Sequence, residues 1–347
     1  MLALQAVTPG QLAAAIPEVT LAEARKLVAQ IHRGEAVSAS SSVRRTAAEA
    51  VRAAGSVPTL TVVAESASEL DPFVKYALES DGARFEAVRI PLEHPGRFTV
   101  CVSSQVGCAL ACAFCATGRL GLARNLAPWE IIEQVRIVRA RLPRGRVHGV
   151  VFQGMGEPLA NLDAVLAAIA VLTEPCAQGV DARAITVCTA GLPNGIRRLA
   201  HEAPNVRLGL SISSAIAAHR KRVMPIAERH DLDDVIDASI EHAVLTGHSP
   251  MWAITLLDGV NDSDADARAL AERVLVFASR AGRLPRISLL DYNAIGADAS
   301  GQADPFRRSP RMPAFRDVLS AAKLPSHRRY SGGSDVAAAC GQLANTV

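Results

Sequence analysis

An α/β architecture, a partial β/α barrel behind a helical N-terminal segment and a small β-extension, follows from three features of this 347-residue sequence. Residues 1 to about 55 carry helical punctuation, and about 58–91 read as short strands around a tight turn. From about residue 97, strand and helix patterns alternate. Such alternation implies a parallel sheet with helices outside it, either doubly wound or closed toward a barrel. The expected division is a helical accessory domain over 1–57, the β-extension over 58–96, and the barrel with its C-terminal tail over 97–347.

Each element has a local reason. Thr20 is placed to cap "LAEARKLVAQIHRG", Gly34 sits at its C-terminal end, and a further helix is expected over about 39–53. The strands "TLTVVAES", "FVKYALES" and "RFEAVRIP" follow, with Asp81-Gly82 as the hairpin turn between the last two. The alternating part supplies strands "RFTVCVS", "VHGVVFQG", "AITVCTAG", "VRLGLSIS", "MWAITLLD", "RISLLDYN" and "SHRRYS". Helices are expected near 128–141, 162–172, 193–201, 231–245, 263–277 and 309–322. In a barrel, sites gather at the C-terminal strand ends, which puts Cys101, Gly154, Cys188, Ser211, Asp258 and Asn293 on one face.

Composition narrows the class. A hydrophobic content of 49% is ample for a large core, and a net charge of +3 does not argue nucleic-acid binding by itself. The N-terminus lacks a basic n-region and is interrupted by Pro9 and Pro17, so it does not read as a signal peptide. The longest apolar run, "AVLAAIAVL", is far short of the roughly 18 residues a membrane span requires. A soluble cytoplasmic protein without a membrane partner is expected. Reducing conditions there favour clusters and catalytic thiols over structural disulfides.

Three motifs carry chemistry. "CALACAFC" places Cys108, Cys112 and Cys115, three of the seven cysteines, within eight positions. A [4Fe–4S] cluster is normally held by four thiolates and a zinc site by four ligands, so three thiolates leave one metal position open. A zinc site completed from a distance and three small buried hydrophobes are the other readings of the run. "VVFQGMGEP" reads as a strand ending in a glycine-rich turn, where the backbone can approach a ligand and Glu157 can accept hydrogen bonds from an ammonium. Near the C-terminus, Cys340 sits among small residues in "SDVAAACGQLANTV", where a thiol can be a delivered reagent or an ordinary buried side chain.

Taken together, "TVCVSSQVGCALACAFCATG", "RNL", "GMGEPLAN", "LLDGVND" and "DVAAACGQL" resemble the RlmN/Cfr family, over about Glu86 to Gln342. These are radical S-adenosylmethionine (SAM) enzymes that methylate an adenine of 23S ribosomal RNA at C2 or C8. The resemblance implies a [4Fe–4S] cluster on Cys108, Cys112 and Cys115, with SAM on its open iron. It also implies SAM contacts at Gly156, Glu157, Cys188, Ser211, Ile212, Ser213 and Asn293. Cys340 would be methylated and its methyl activated by a 5′-deoxyadenosyl radical for addition to the ring. Glu86 would take the ring proton, and Cys101 would attack the Cys340 sulfur, leaving a Cys101–Cys340 disulfide. The implied partners are ribosomal RNA, with transfer RNA as a second substrate, an electron donor and a thiol reductant. A diverged enzyme acting on another RNA or a small molecule, and an iron–sulfur electron carrier, are the rival readings.

The chain departs from that family's pattern near the SAM contacts. Cys188 stands where serine is usual, Ser213 where histidine is, and "LLDYNAIG" replaces a Pro-Trp-Asn-Pro type stretch. "SGGSD" lacks the usual arginine before Gly333 and Asp335. Basic clusters at Arg141/Arg144/Arg146, His219/Arg220/Lys221/Arg222, Arg307/Arg308/Arg311 and Arg328/Arg329 offer phosphate contacts, or are solvated helix ends.

Overall fold

A computed structural model describes residues 1–297, 301 and 303–344 of the protein. Ten strands form its central sheet: β1 (Thr61–Ala67), β2 (Val74–Ser80), β3 (Ala83–Pro91), β4 (Arg97–Val102), β5 (Arg146–Phe152), β6 (Ile185–Thr189), β7 (Arg207–Ser211), β8 (Met251–Leu256), β9 (Arg286–Asp291) and β10 (Ser326–Arg329). They lie side by side in chain order. From β4 to β10 every pairing is parallel, as the alternation of strands and helices requires. The expected β-extension is built into the same sheet. β3 pairs antiparallel with β4, and β2 and β1 continue outward.

The Asp81-Gly82 turn forms as expected. Both residues have positive φ (50° and 72°), and Ser80 pairs with Ala83 across them. That twist matches the strands it joins.

Strand alternation sorts side chains between two faces. On β8, Trp252, Ile254 and Leu256 are buried, and the Trp252 ring meets Phe277 of helix Asp264–Ala281 edge-on at 5.1 Å. Met251, Ala253 and Thr255 line the interior instead. The outer helices lie close to their expected positions; Pro128–Ala140, Leu162–Thr173, Pro193–Glu202 and Leu232–Thr246 are four of them.

The N-terminal segment holds helices Pro9–Ala15, Leu21–His32 and Arg45–Ala54. Thr20 and Glu23 close a reciprocal capping box on the second. The third starts six residues later than expected at 39, because Ser40 and Val43 bond each other's backbones in a tight turn. Serines compete locally for backbone groups in this way. These helices share one apolar core with the sheet layer. Arg136 Nη2 donates to Ile31 O (2.9 Å), and Gln178 Nε2 meets His32 Nδ1 (2.9 Å).

Candidate active site

Beyond β4, Gln105–Gly107 pairs with Leu122–Asn125 in a small ribbon that spans the cysteine loop. The loop is fixed by its own backbone. Cys108 N–H donates to Gly121 O (2.8 Å), Ala113 N–H to Val223 O (2.9 Å) and Cys115 N–H to Cys112 O (3.1 Å). A side chain at Gly118 would place its Cβ 2.8 Å from Cys112 O, so only glycine fits that approach.

Burial pushes the Cys108 thiol up to about 11 and raises Cys112 and Cys115 as well. Thiolates form in such surroundings when a metal supplies the compensating charge. Among the described residues, no three Cys, His, Asp or Glu side chains converge on a single metal ion. A cluster would give each of the three thiolates its own iron.

The glycine-rich turn follows β5. A Cβ on Gly154 would lie 2.8 Å from Val102 O, and Gly156 has φ +99° with its would-be Cβ 2.6 Å from Gln105 Cβ. Both positions exclude a side chain. Glu157 next to them is buried, and its carboxylate accepts Leu159 N–H (3.0 Å) and Ala190 N–H (2.8 Å). Burial nonetheless lifts it to about 7. The pocket therefore favours a proton, or another cation, on this group.

Cys108, Cys112, Glu157, Cys188, Ser211 and Ser213 line a cavity of about 150 Å³, with Gly156 and Cys115 also in its wall. Burial pushes the Cys188 thiol up to about 12. Ile212 packs into the core instead, and Asn293 is bonded to the tail.

The floor of this cavity depends on Arg220. That guanidinium is 1% exposed and donates to Ser211 O (3.0 Å), Ile212 O (2.5 Å) and Ala190 O (2.7 Å). Burial holds it down at about 10. Asn261, in "LLDGVND", ties the neighbouring loop by donating to Ser213 O (2.6 Å) and Thr255 O (2.8 Å).

A second cavity, of about 730 Å³, is lined by Cys101 on β4 and by Cys340. Cys340, Cys115, Gln153 and Gly154 belong to both walls, so the tail cysteine stands between the two spaces. Burial raises the Cys101 thiol, and its neighbours Cys340 and Cys188 raise it further, against the pull of Arg329.

The tail that delivers Cys340 is held along its length. Cys340 N–H donates to Ser331 Oγ (2.8 Å), Asn293 Nδ2 to Cys340 O (3.1 Å), Ala116 N–H to Gly341 O (2.7 Å) and Thr117 Oγ1 to Leu343 O (2.6 Å). Farther back, Asp335 accepts from Ser68 Oγ (2.7 Å) and Glu69 N–H (2.8 Å), while Asp71 accepts from Tyr330 Oη (2.7 Å) and Gly333 N–H (2.9 Å). Glu86 on β3 is fully buried. It pairs with Lys75 Nζ (3.0 Å) and accepts Ala344 N–H (2.9 Å).

Sequence reasoning missed several of these groups. Arg220 was grouped with a basic phosphate-contacting cluster but is an internal scaffold. Lys75, Asp71 and Asn261 carried no local signal, because their partners lie 11, 259–262 and up to 48 residues away. Asn161 stands at the N-cap position of Leu162–Thr173, but its side chain donates away from the helix, to Ser104 O and Leu126 O (both 2.8 Å). Other clustered arginines are already engaged: Arg308 and Arg328 with Asp291, and Arg311 with Asp264.

A loop of three cysteines at the C-terminal mouth of a parallel sheet, beside a glycine-rich turn, defines a radical SAM protein. Residues 102–271 match the radical SAM superfamily model. The chain is 57% identical to a probable RNA methyltransferase of Sorangium cellulosum, covering 94% of this chain and 88% of that one. It is 41% identical to a dual-specificity RNA methyltransferase RlmN of Syntrophobacter fumaroxidans, over 76% and 73% of the two chains. The crystal structure of a radical SAM methyltransferase from Sphaerobacter thermophilus superposes over 100% of both chains, with a TM-score of 0.86 and 34% identity. The chain belongs to the RlmN-type family of radical SAM RNA methyltransferases. Its cofactors are a [4Fe–4S] cluster and SAM, and the electron-carrier reading falls. Among the described residues, no helix is long and apolar enough to cross a membrane.

Proposed function

We propose that the protein methylates an adenine ring carbon of RNA, C2 or C8, by way of a methyl group carried on Cys340. The observation that carries this reading is the position of Cys340 in the wall between two cavities, one holding the three-cysteine loop and the other Cys101. Ribosomal RNA is the first substrate of the reading. Transfer RNA is the second, in keeping with the dual specificity in the names of its relatives.

Held by Cys108, Cys112 and Cys115, the cluster supplies with SAM the radical chemistry that an unactivated ring carbon demands. Gly156, Glu157, Cys188, Ser211 and Ser213 surround the space beside the cluster, and the Glu157 carboxylate is the group for the SAM ammonium. Ile212 contributes its carbonyl to the Arg220 bracket, and Asn293 holds the tail in register.

The remaining steps belong to three side chains. Once the adduct has given back its unpaired electron to the redox centre that supplied it, Glu86 would accept the proton from the ring carbon, its carboxylate paired with Lys75. The Cys101 thiolate then attacks the Cys340 sulfur. The S–S bond forms as the C–S bond to the product breaks, and the electron pair of that bond takes up a proton on the new methyl group. A Cys101–Cys340 disulfide remains, which two electrons from a thiol reductant reopen. Arg329 is the cation on hand to offset the burial that opposes a Cys101 thiolate.

Removing each thiol must therefore have a different consequence. Cys340→Ala leaves nothing to carry the methyl, and neither adduct nor product is expected. Cys101→Ala is expected to stall as a covalent protein–RNA species, visible as a shifted band of labelled RNA on a denaturing gel and absent from the double variant. Wild-type turnover by Cys101→Ala would sink the assignment.

A further inference from the structure

The reaction leaves the lower half of the larger cavity without a task. Its wall there is made by residues at and near the starting ends of the barrel strands, His148 on β5, Arg207 on β7, Arg286 on β9 and His327 on β10, with Arg329 at the far end of β10. Arg329 reaches deepest. Its Nη2 donates to Gln153 Oε1 (3.1 Å), the oxygen that also faces Cys188 Sγ (3.7 Å), and its Nη1 is buried with no hydrogen-bond partner among the described residues. Burial works against its charge, but Cys340, Cys188 and Cys101 outweigh that and hold the guanidinium above its ordinary value.

Cations outnumber acids on this wall among the described residues. Arg286 sits below the usual guanidinium range through burial and then through Arg207 and Arg329. His327 is lowered by burial and then by Arg286, Arg329 and Arg316. The single acid on this wall among the described residues, Asp181, already pairs with Arg183 (3.0 Å). Arg207, Arg286 and His327 are exposed, whereas Cys101 is 9% exposed. A basic passage thus leads from solvent to the two cysteines, from the end of the barrel opposite the cluster loop. At the other end the tail is bonded to Ala116 and Thr117 beside the cluster loop.

We propose that this passage admits a small acidic thiol, which reduces the Cys101–Cys340 disulfide in place. The inference rests on the two-cysteine reading above. A cavity of about 730 Å³ takes a small molecule and excludes a folded reductase.

The thiolate of the reductant attacks Cys101 Sγ, and Cys340 leaves as a thiolate beside Arg329 before taking a proton. A second thiol displaces the first from Cys101, which is protonated in turn. The two thiols give up two electrons and depart as their own disulfide. Guanidinium groups along the path concentrate anionic thiolates, and clefts lined by one sign of charge raise on-rates by about 10–10³.

The test uses cluster-loaded holoenzyme oxidised anaerobically with diamide, with the Cys101–Cys340 crosslink followed by peptide mass. Mercaptoethanesulfonate, 2-mercaptoethanol and cysteamine present the same reaction with negative, neutral and positive charge. Dividing each rate by that reagent's rate on a small-molecule disulfide cancels differences in thiol reactivity. The expected order is anionic, neutral, cationic, with roughly tenfold or more between the extremes at low salt and a narrower gap at high salt. In Arg207→Gln/Arg286→Gln the ratio is expected to fall toward one. Because the ratio is taken within one protein, a general loss of stability does not imitate that result. Equal normalised rates in the wild type, or a ratio untouched by the double substitution, overturn the passage alone. Failure of the crosslink to form overturns the two-cysteine reading, and this proposal with it.

Discussion

Arg220 shows how much of the site hangs on one side chain that touches no reacting atom. Its planar fork satisfies carbonyls from the ends of β6 and β7, which a lysine's single ammonium cannot do. Arg220→Met would remove that donor, at about 1–3 kcal/mol for each carbonyl left unpaired, while Ile212 O keeps Ser214 N–H (2.7 Å). We expect a loss of about 3 kcal/mol or more in urea unfolding, and weaker SAM binding by equilibrium dialysis. Unchanged stability would show that water replaces the guanidinium. The contrast with the cysteines is instructive. Cys108, Cys112 and Cys115 were legible because their chemistry depends on spacing along the chain. Arg220 was not, because its partners at 190, 211 and 212 come within reach only once the strands align, and a basic run reads first as a solvated surface. Ser213 was legible as a position but not as a conformation: its φ of 56° is a left-handed backbone that no local pattern announced.

At the scale of elements, the N-terminal helices are joined to the barrel through a residue that titrates. Burial, then Arg136 and Arg139, lower His32 to about 4. The folded state thus prefers neutral imidazole, which accepts from Gln178. A depressed histidine contributes stability in full above its unfolded value near 6.5, and loses it as pH falls toward 4. The shift corresponds to about 3 kcal/mol. His32→Asn keeps an acceptor and removes the titration, so wild type should lose up to about 3 kcal/mol more than the variant between those limits. A stability difference that stays flat across that range would remove His32 from the account. Helix positions were mostly legible from caps and periodicity. The pairing of β1–β3 with the barrel was not, since a strand pattern gives the faces of a strand but never the identity of its neighbour.

For the molecule as a whole, the sheet is open, and its two edge regions are bridged by the tail. Residues after β10 cross to the turn between β1 and β2, where Asp335 and Asp71 hold them. Asp335→Ala should raise hydrogen exchange over residues 333–344 several-fold while leaving the barrel helices protected, since clasp and core open independently. Unchanged protection of the tail would mean that Ser331, Thr117 and Glu86 suffice to hold it.

The bond from Ser68 to Asp335 spans 267 residues, and that has a consequence in time. Contacts between distant parts of a chain are the slow ones to form, because the loop they close must be ordered first. Helices and neighbouring strands can assemble as the polypeptide emerges from the ribosome, but the clasp must wait until Asp335 has been made. Cys340 comes to rest beside the cluster loop only after that closure. A growing chain therefore passes through an interval in which the three cysteines of the loop are made but Cys340 is not yet seated. On the reading in which Cys340 carries the methyl group, unfinished copies are kept from the reaction by the order of synthesis.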